Sequence, residues 1–320
     1  MNKPLSISVL AAAIVLLLPA CDKLKNVADE ASSKVVEQSA DITDAVDQDA
    51  AWNEKVNEYI EVANRMRGAL TGGDNPAIQR WAAEADAKVQ AGDFKAIRTD
   101  SHYYEGRAID TLKQTMASPG KTEGADNAAK ALIAAIEKHL PNWKALESYN
   151  KAKKYEDDAG AEGKRLLPAY VEGQTALRST LENFNREVDL LSREMHDKSL
   201  AEYRKEGKLL EMHTLEALSN AEKIIDTFDD EGDFKDKAKL DTANAALAAL
   251  DTSIAGMRAE HAKRKAGAEQ ALPRSDMYSS VADTLEEVGG AYREARKNPS
   301  NFNRVVESYN RAIDNYNRMQ

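Results

Sequence analysis

Tyr170, Gln174, Leu177, Leu181, Phe184, Val188, Leu191 and Met195 follow one another at alternating steps of four and three residues. Such steps return each side chain to one face of an α-helix, and they persist for more than three heptads. A strand would send the same residues to both of its faces. Comparable stripes occur at Trp52, Val56, Tyr59, Ala63, Met66 and Leu70, at Ala217, Ala221, Ile224 and Phe228, and at Leu247, Leu250, Ile254 and Met257. They recur at Val281, Leu285, Val288 and Tyr292, and at Phe302, Val306, Tyr309, Ile313 and Tyr316. Stripes this narrow are buried when helices pack against one another. The expected fold is therefore all-α, an elongated antiparallel multi-helix bundle with coiled-coil-like seams. Only 6% of the residues are aromatic while alanine is abundant, which favours helix over sheet.

The residues between the stripes set the expected boundaries. Thr71-Gly72-Gly73-Asp74 ends the first helix, and Asn75-Pro76 offers a cap and a first-turn residue for the next. A second helix is expected over Ile78 to Val89 around Trp81, and a third over Asp93 to Met116, with breaks at Gly92 and at Ser118-Pro119-Gly120. Lys121 to Asn127 is polar and expected to be a loop. A long helix should follow from Asp126 with Leu132, Ile133, Ile136, Leu140 and Trp143 buried, and Pro141 is expected to kink or divide it. Asp229 to Asp233 and Leu272-Pro273 separate later helices, and Asn298-Pro299 precedes the last. No Gly-rich linker interrupts residues 49–320, which are expected to form one domain, although their length also permits two stacked bundles.

Ahead of the helices, Leu5 to Leu18 form an apolar run broken only by Ser6 and Ser8 and preceded by Lys3. The run is about fourteen residues, whereas crossing a hydrocarbon core takes roughly twenty. It therefore has the layout of an export signal. Leu18-Pro19-Ala20-Cys21 resembles the lipobox of bacterial lipoproteins, in which the cysteine is diacylated on sulfur, becomes the new N-terminus and is acylated again. Pro19 departs from the residues usual at that position. Cys21 is the only cysteine, so this reading leaves no thiol for a disulfide. Two or three palmitate-like chains, each adding about 0.8 kcal/mol per buried CH₂, would anchor the protein firmly. Residues 1–20 are thus expected to be a signal peptide, and residues 21–48 a lipid-anchored tether, helical in part, facing the periplasm. In enterobacterial lipoproteins an aspartate after the cysteine favours inner-membrane retention, and Asp22 matches.

Charge narrows the partners. Lys3 is the only charge in residues 1–20, so removing the signal takes the net charge from −10 to −11. An acidic chain without a basic stripe disfavours nucleic acid. Its one basic cluster, Arg258, Lys263, Arg264 and Lys265, has the placement of a solvated face complementing a helix C-terminus.

Two fragments nearly repeat, Glu147-Ser148-Tyr149-Asn150-Lys151-Ala152 and Glu307-Ser308-Tyr309-Asn310-Arg311-Ala312. With Asn57-Glu58-Tyr59-Ile60 through Asn64, Tyr155-Glu156-Asp157-Asp158 before Glu162-Gly163-Lys164, and the closing Tyr316-Asn317-Arg318-Met319, the chain resembles the YiiG-like bacterial lipoproteins over about residues 50–320. That family is a domain of unknown function, and the resemblance implies an envelope location and a helical fold. Tyr149, Asn150, Tyr309 and Asn310 have two readings. As packing residues they bury rings and bond across helices; as an interaction stripe they would meet a ligand or partner.

His213 and Glu216 lie three apart on one helical face, the arrangement used by metal-binding bundles. A similar His-x-x-Glu occurs in imelysin-like periplasmic lipoproteins, but Glu211 stands where those have a glycine. Further ligands would have to come from residues such as His196, His261 or Glu211, and a solvated helix face is the competing reading. His261 extends the Leu247–Met257 stripe and has the placement of a boundary residue. The chain has no Gly-x-Ser-x-Gly elbow, no His-Glu-x-x-His and no phosphate-binding Gly-x-x-x-x-Gly-Lys-Ser/Thr loop, since Thr115 stands where Gly120-Lys121-Thr122 would need its first glycine. The expected function is accordingly non-catalytic, without a cofactor: a lipid-anchored envelope lipoprotein that binds another envelope protein or organises the envelope. The alternative is a metal- or small-ligand-binding lipoprotein of the imelysin kind.

Overall fold

The computed structural model describes residues 34–71, 76–99, 104–266 and 275–319. The expected export signal, Cys21, Gly72-Gly73-Asp74 and Leu272-Pro273 lie outside them. The described residues are helical: α1 Lys34–Thr71, α2 Pro76–Gln90, α3 Ile109–Ala117, α4 Glu123–Lys151, α5 Ala161–Glu206, α6 Leu209–Asp226, α7 Lys237–Ala266, α8 Ser275–Ala295 and α9 Asn303–Met319. No strand occurs among the described residues. Two compact units are present, divided within α5 between Arg193 and Glu194.

In the first unit, α1 presents Trp52, Val56, Tyr59, Ala63 and Met66 to the core, as its spacing predicts. Tyr59 meets Phe184 of α5 edge to face with ring centroids 5.8 Å apart. α4 buries Ala125, Ala128, Ala129, Leu132, Ile136, Trp143 and Leu146, the small residues allowing close approach. It begins at Glu123 rather than Asp126, because Glu123 and Asp126 place acid in the first turn, where exposed N–H groups favour it. Pro141 does not divide α4. Pro141 and Glu137, whose carbonyl loses its helical partner, are both exposed, so water can take that acceptor. Pro168 passes through α5 in the same way, exposed and four residues after exposed Lys164.

The helix expected over Ile78 to Val89 is present as α2, with Ala82, Ala85 and Val89 on its buried face and Trp81 56% exposed. The helix expected over Asp93 to Met116 is interrupted. A 3₁₀ turn covers Phe94–Ala96, its Lys95 N–H met by the Asp93 side chain, and a π-helical turn over Tyr104–Ala108 leads into α3. The competing local chemistry is the Asx cap at Asp93, which Lys95 N–H engages at 3.0 Å.

The second unit is a four-helix bundle in which α6 packs on α7, α7 on α8, α8 on α9, and α9 returns to α6. The stripes Ala217–Phe228, Leu247–Met257 and Val281–Tyr292 are all buried. In α9 the core position falls at Val305 while Val306 is half-buried. The acidic turn before α7 is ordered by a reciprocal cap between Asp230 and Asp233, and Phe228 stacks on Phe234 at 4.0 Å beneath it.

Candidate functional site

Each polar residue singled out in the sequence can now be placed. Cys21 lies outside the described residues. His213 and Glu216 sit one turn apart on α6, and Nδ1 of the imidazole lies 3.2 Å from Glu216 Oε2. The ring rests on α7 at Gly256, where an added Cβ would fall 2.8 Å from it. Arg204 of α5 also reaches Glu216, at 3.4 Å. Glu211 is held by both terminal nitrogens of Arg264, each at 2.8 Å. Burial pushes the Glu211 carboxyl up, but Arg264, the backbone N–H of Glu211 itself and Lys208 together hold the group below its ordinary value. His196 is shifted down, chiefly by burial. His261 directs Nδ1 toward Ser279 Oγ at 3.5 Å. Among the described residues no group of three or more His, Cys, Asp or Glu side chains is placed to hold one ion. The chemistry available at His213 is thus a partly exposed histidine–carboxylate pair with an arginine beside it.

Tyr149 and Asn150 belong to a different place, the end of α4. The Tyr149 hydroxyl donates to Asp158 Oδ1 at 2.6 Å, and Asp158 also accepts from the backbone N–H groups of Gly160 and Glu162 at the start of α5. The Tyr149 bond is the largest influence holding Asp158 below its usual range, while burial and then the same bond raise Tyr149. Asn150 donates to the Phe94 carbonyl at 2.7 Å. Phe94 packs against Tyr149 and lies over Gly160 and Gly163, where a Cβ would come within 3.0 Å and 2.6 Å of its ring. Lys95 Nζ sits 3.8 Å from the Tyr155 ring centre. The cluster joins the Phe94 turn, the end of α4 and the start of α5. Tyr309 lies in the second unit, 1% exposed, with its hydroxyl raised by burial and by Glu222 and Asp226 of α6; Asn310 beside it is half-buried. The two similar fragments therefore occupy separate units rather than one stripe.

Sequence reasoning passed over two buried ionisable residues. Lys55, 2% exposed, donates to the carbonyls of Met116 and Gly120, both at 3.2 Å, and pairs with Asp126 at 3.1 Å. Tyr59 and Thr122 donate to the same carboxylate. His139 is 1% exposed between Trp143 and Tyr170. The available signal was spacing, since Lys55 falls between Trp52 and Tyr59, and His139 continues Leu132 and Ile136 toward Trp143 in steps of four, three and four. Both are polar residues standing on otherwise apolar stripes.

Among the described residues no helix is long and apolar enough to cross a membrane. Comparison with known families gives a match over residues 50–318 to a model described as "Protein of unknown function (DUF3829)". No curated protein and no solved structure matches the chain.

Proposed function

The chain belongs to the DUF3829 family, and from that premise we propose that it is a lipid-anchored, non-catalytic lipoprotein of the bacterial cell envelope. The observation that carries this reading is the apolar run Leu5–Leu18 closing on the only cysteine, Cys21, ahead of a helical module. Within the family we place it with the YiiG-like lipoproteins, on the paired Glu-Ser-Tyr-Asn fragments. The folded part faces the periplasm and serves as a protein-interaction or envelope-organising module, with Asp22 favouring the inner membrane. Support comes from how the titratable groups are used: Lys55, Asp126, Asp158, Glu211 and Arg264 fasten helices and turns to one another. Exposed Trp81 supplies the kind of amphipathic ring that protein interfaces use as an anchor.

Metabolic labelling with an alkyne palmitate tests the anchor. The full chain should take up label and sediment with membranes, and Cys21→Ala should lose the label and enter the soluble fraction. An unlabelled full chain sinks the proposal. Crosslinking in intact cells, repeated with Trp81→Ala, tests the interaction; recovery of no reproducible partner would count against that part of the reading.

The contact between His213 and Glu216 favours a second reading, a metal- or small-ligand-binding lipoprotein of the imelysin kind. Uptake of zinc, iron or copper by the chain and not by His213→Ala is the result it requires.

A further inference from the structure

His139 differs from every other histidine placed among the described residues in the completeness of its enclosure. Its side chain is 1% exposed, and neither ring nitrogen has a hydrogen-bond partner among the described residues. Trp143, one turn further along α4, lies 5.2 Å away between ring centres, and Tyr170 of α5 lies 5.3 Å away on another side. A third side is bare helix backbone. A Cβ at Gly173 of α5 would stand 2.0 Å from His139 Nδ1, so the ring occupies space that exists because residue 173 has no side chain. The imidazole is therefore a wedge between α4 and α5.

The next shell holds the wedge in place. Trp143 donates its indole N–H to the Arg98 carbonyl at 2.8 Å and packs on Tyr104, 5.5 Å between centres. The Tyr170 hydroxyl accepts from Gln174 at 3.1 Å. The titratable residue against the ring is thus Tyr170 on α5, while Tyr104 on the π-helical turn and the buried Arg98 before it meet Trp143. On the outer faces of the same helices, Lys138 and Glu172 pair with each other at 3.8 Å, both largely exposed. No carboxylate contributes to the titration of His139, and burial is the sole influence moving it.

We propose that His139 is an acid trigger: a proton taken up by this ring breaks the local packing of α4 on α5 in the unit that ends at Arg193. A neutral imidazole is tolerated there because its apolar edges satisfy the surrounding rings. An imidazolium adds a second N–H donor and a full charge, with nothing beside it to receive either. Attraction to the faces of the neighbouring rings offsets only part of the cost of burying a charge without a partner, so the charged ring gains by reaching water. Because Gly173 supplies one wall, that movement separates the helices rather than merely rotating a side chain.

The sign follows from linkage. Burial lowers the folded-state pKa of His139 from 6.5 to about 4, so between those values the unfolded chain binds the extra proton and stability falls as pH falls. Above pH 6.5 the effect is absent. Over pH 7.5 to 4.5 this one group should lower the folding equilibrium constant about seventyfold.

The experiment uses the full chain in detergent. Denaturant unfolding is followed across that pH range for the wild type and for His139→Leu, which fills similar volume and takes no proton. The wild type should lose about seventyfold more of its folding constant than His139→Leu. Amide exchange, corrected for intrinsic rate, should rise first around residues 139–146 and 167–174. An identical pH dependence in both proteins overturns the proposal. If His139→Leu does not fold, NMR titration of the wild-type His139 ring decides: ionisation near pH 4, coincident with loss of the Trp143 indole N–H signal, supports the trigger, and ionisation near 6.5 overturns it.

Discussion

Lys55→Met should lower the stability of the unit ending at Arg193 by about 3–5 kcal/mol, measured by denaturant unfolding with a probe in that unit. The ammonium is 2% exposed and has three acceptors, the carbonyls of Met116 and Gly120 and the Asp126 carboxylate. Methionine keeps most of the side-chain volume, so the loss reports the missing donors rather than a cavity. Removal strands two carbonyls and leaves Asp126 with Tyr59 and Thr122 as its side-chain donors. The pair with Asp126→Asn should be non-additive, because both substitutions dismantle one network. A loss below about 1 kcal/mol for Lys55→Met would mean that this ion pair merely breaks even against its desolvation.

Gly120→Ala is the second large effect expected, and it comes from the backbone at the same junction. Gly120 has φ +107°, and an added Cβ would stand 2.8 Å from the Trp52 Cα and 3.2 Å from the Trp52 N. Both neighbours are main-chain atoms of α1, which cannot turn aside as a flexible side chain could. Backbone strain of about 1–3 kcal/mol and overpacking of about 1–3 kcal/mol act together. Gly207→Ala is the control, since Gly207 also has positive φ, +70°, but nothing lies within 4 Å of its added Cβ. Thermal or denaturant unfolding should rank Gly120→Ala well below Gly207→Ala; equal losses would show that close approach to Trp52 contributes nothing.

The repeated steps of four and three made the helices legible, because one face of a helix must be apolar to be buried. Trp52, Tyr59, Leu177, Phe184, Leu250 and Leu285 all lie in the cores their spacing assigned them. On α2 the alanines and a valine form the packed face while Trp81 stays exposed, so side-chain size alone does not decide which residues are buried. Pro141 does not divide its helix because the carbonyl it orphans is exposed and can be met by water, and exposure is not written in the spacing. The π-helical turn at Tyr104 and the start of α4 at Glu123 depend on local contacts that periodicity does not encode.

The candidate sites were less legible for a related reason. His213 with Glu216 is a pair within one turn, so sequence spacing suffices to find it. Lys55 with Gly120, His139 with Gly173, and Asn150 with the Phe94 carbonyl are meetings of distant segments. Glycines report such meetings only after the fold is known, because their sequence gives no hint of what occupies the space of the missing side chain.

Cross-helix ties also differ in the length of chain they enclose. Arg178 of the first unit reaches back 92 positions to Asp86, whereas Arg311 of the second reaches 24 positions back to Glu287. Two doublings of loop length cost about 1.2 kcal/mol of additional closure entropy before either contact can form. During refolding, the α8–α9 hairpin should therefore acquire protection early, while the segments that meet at Asp86 and Arg178 search longer and stay open to proteases and to neighbouring chains.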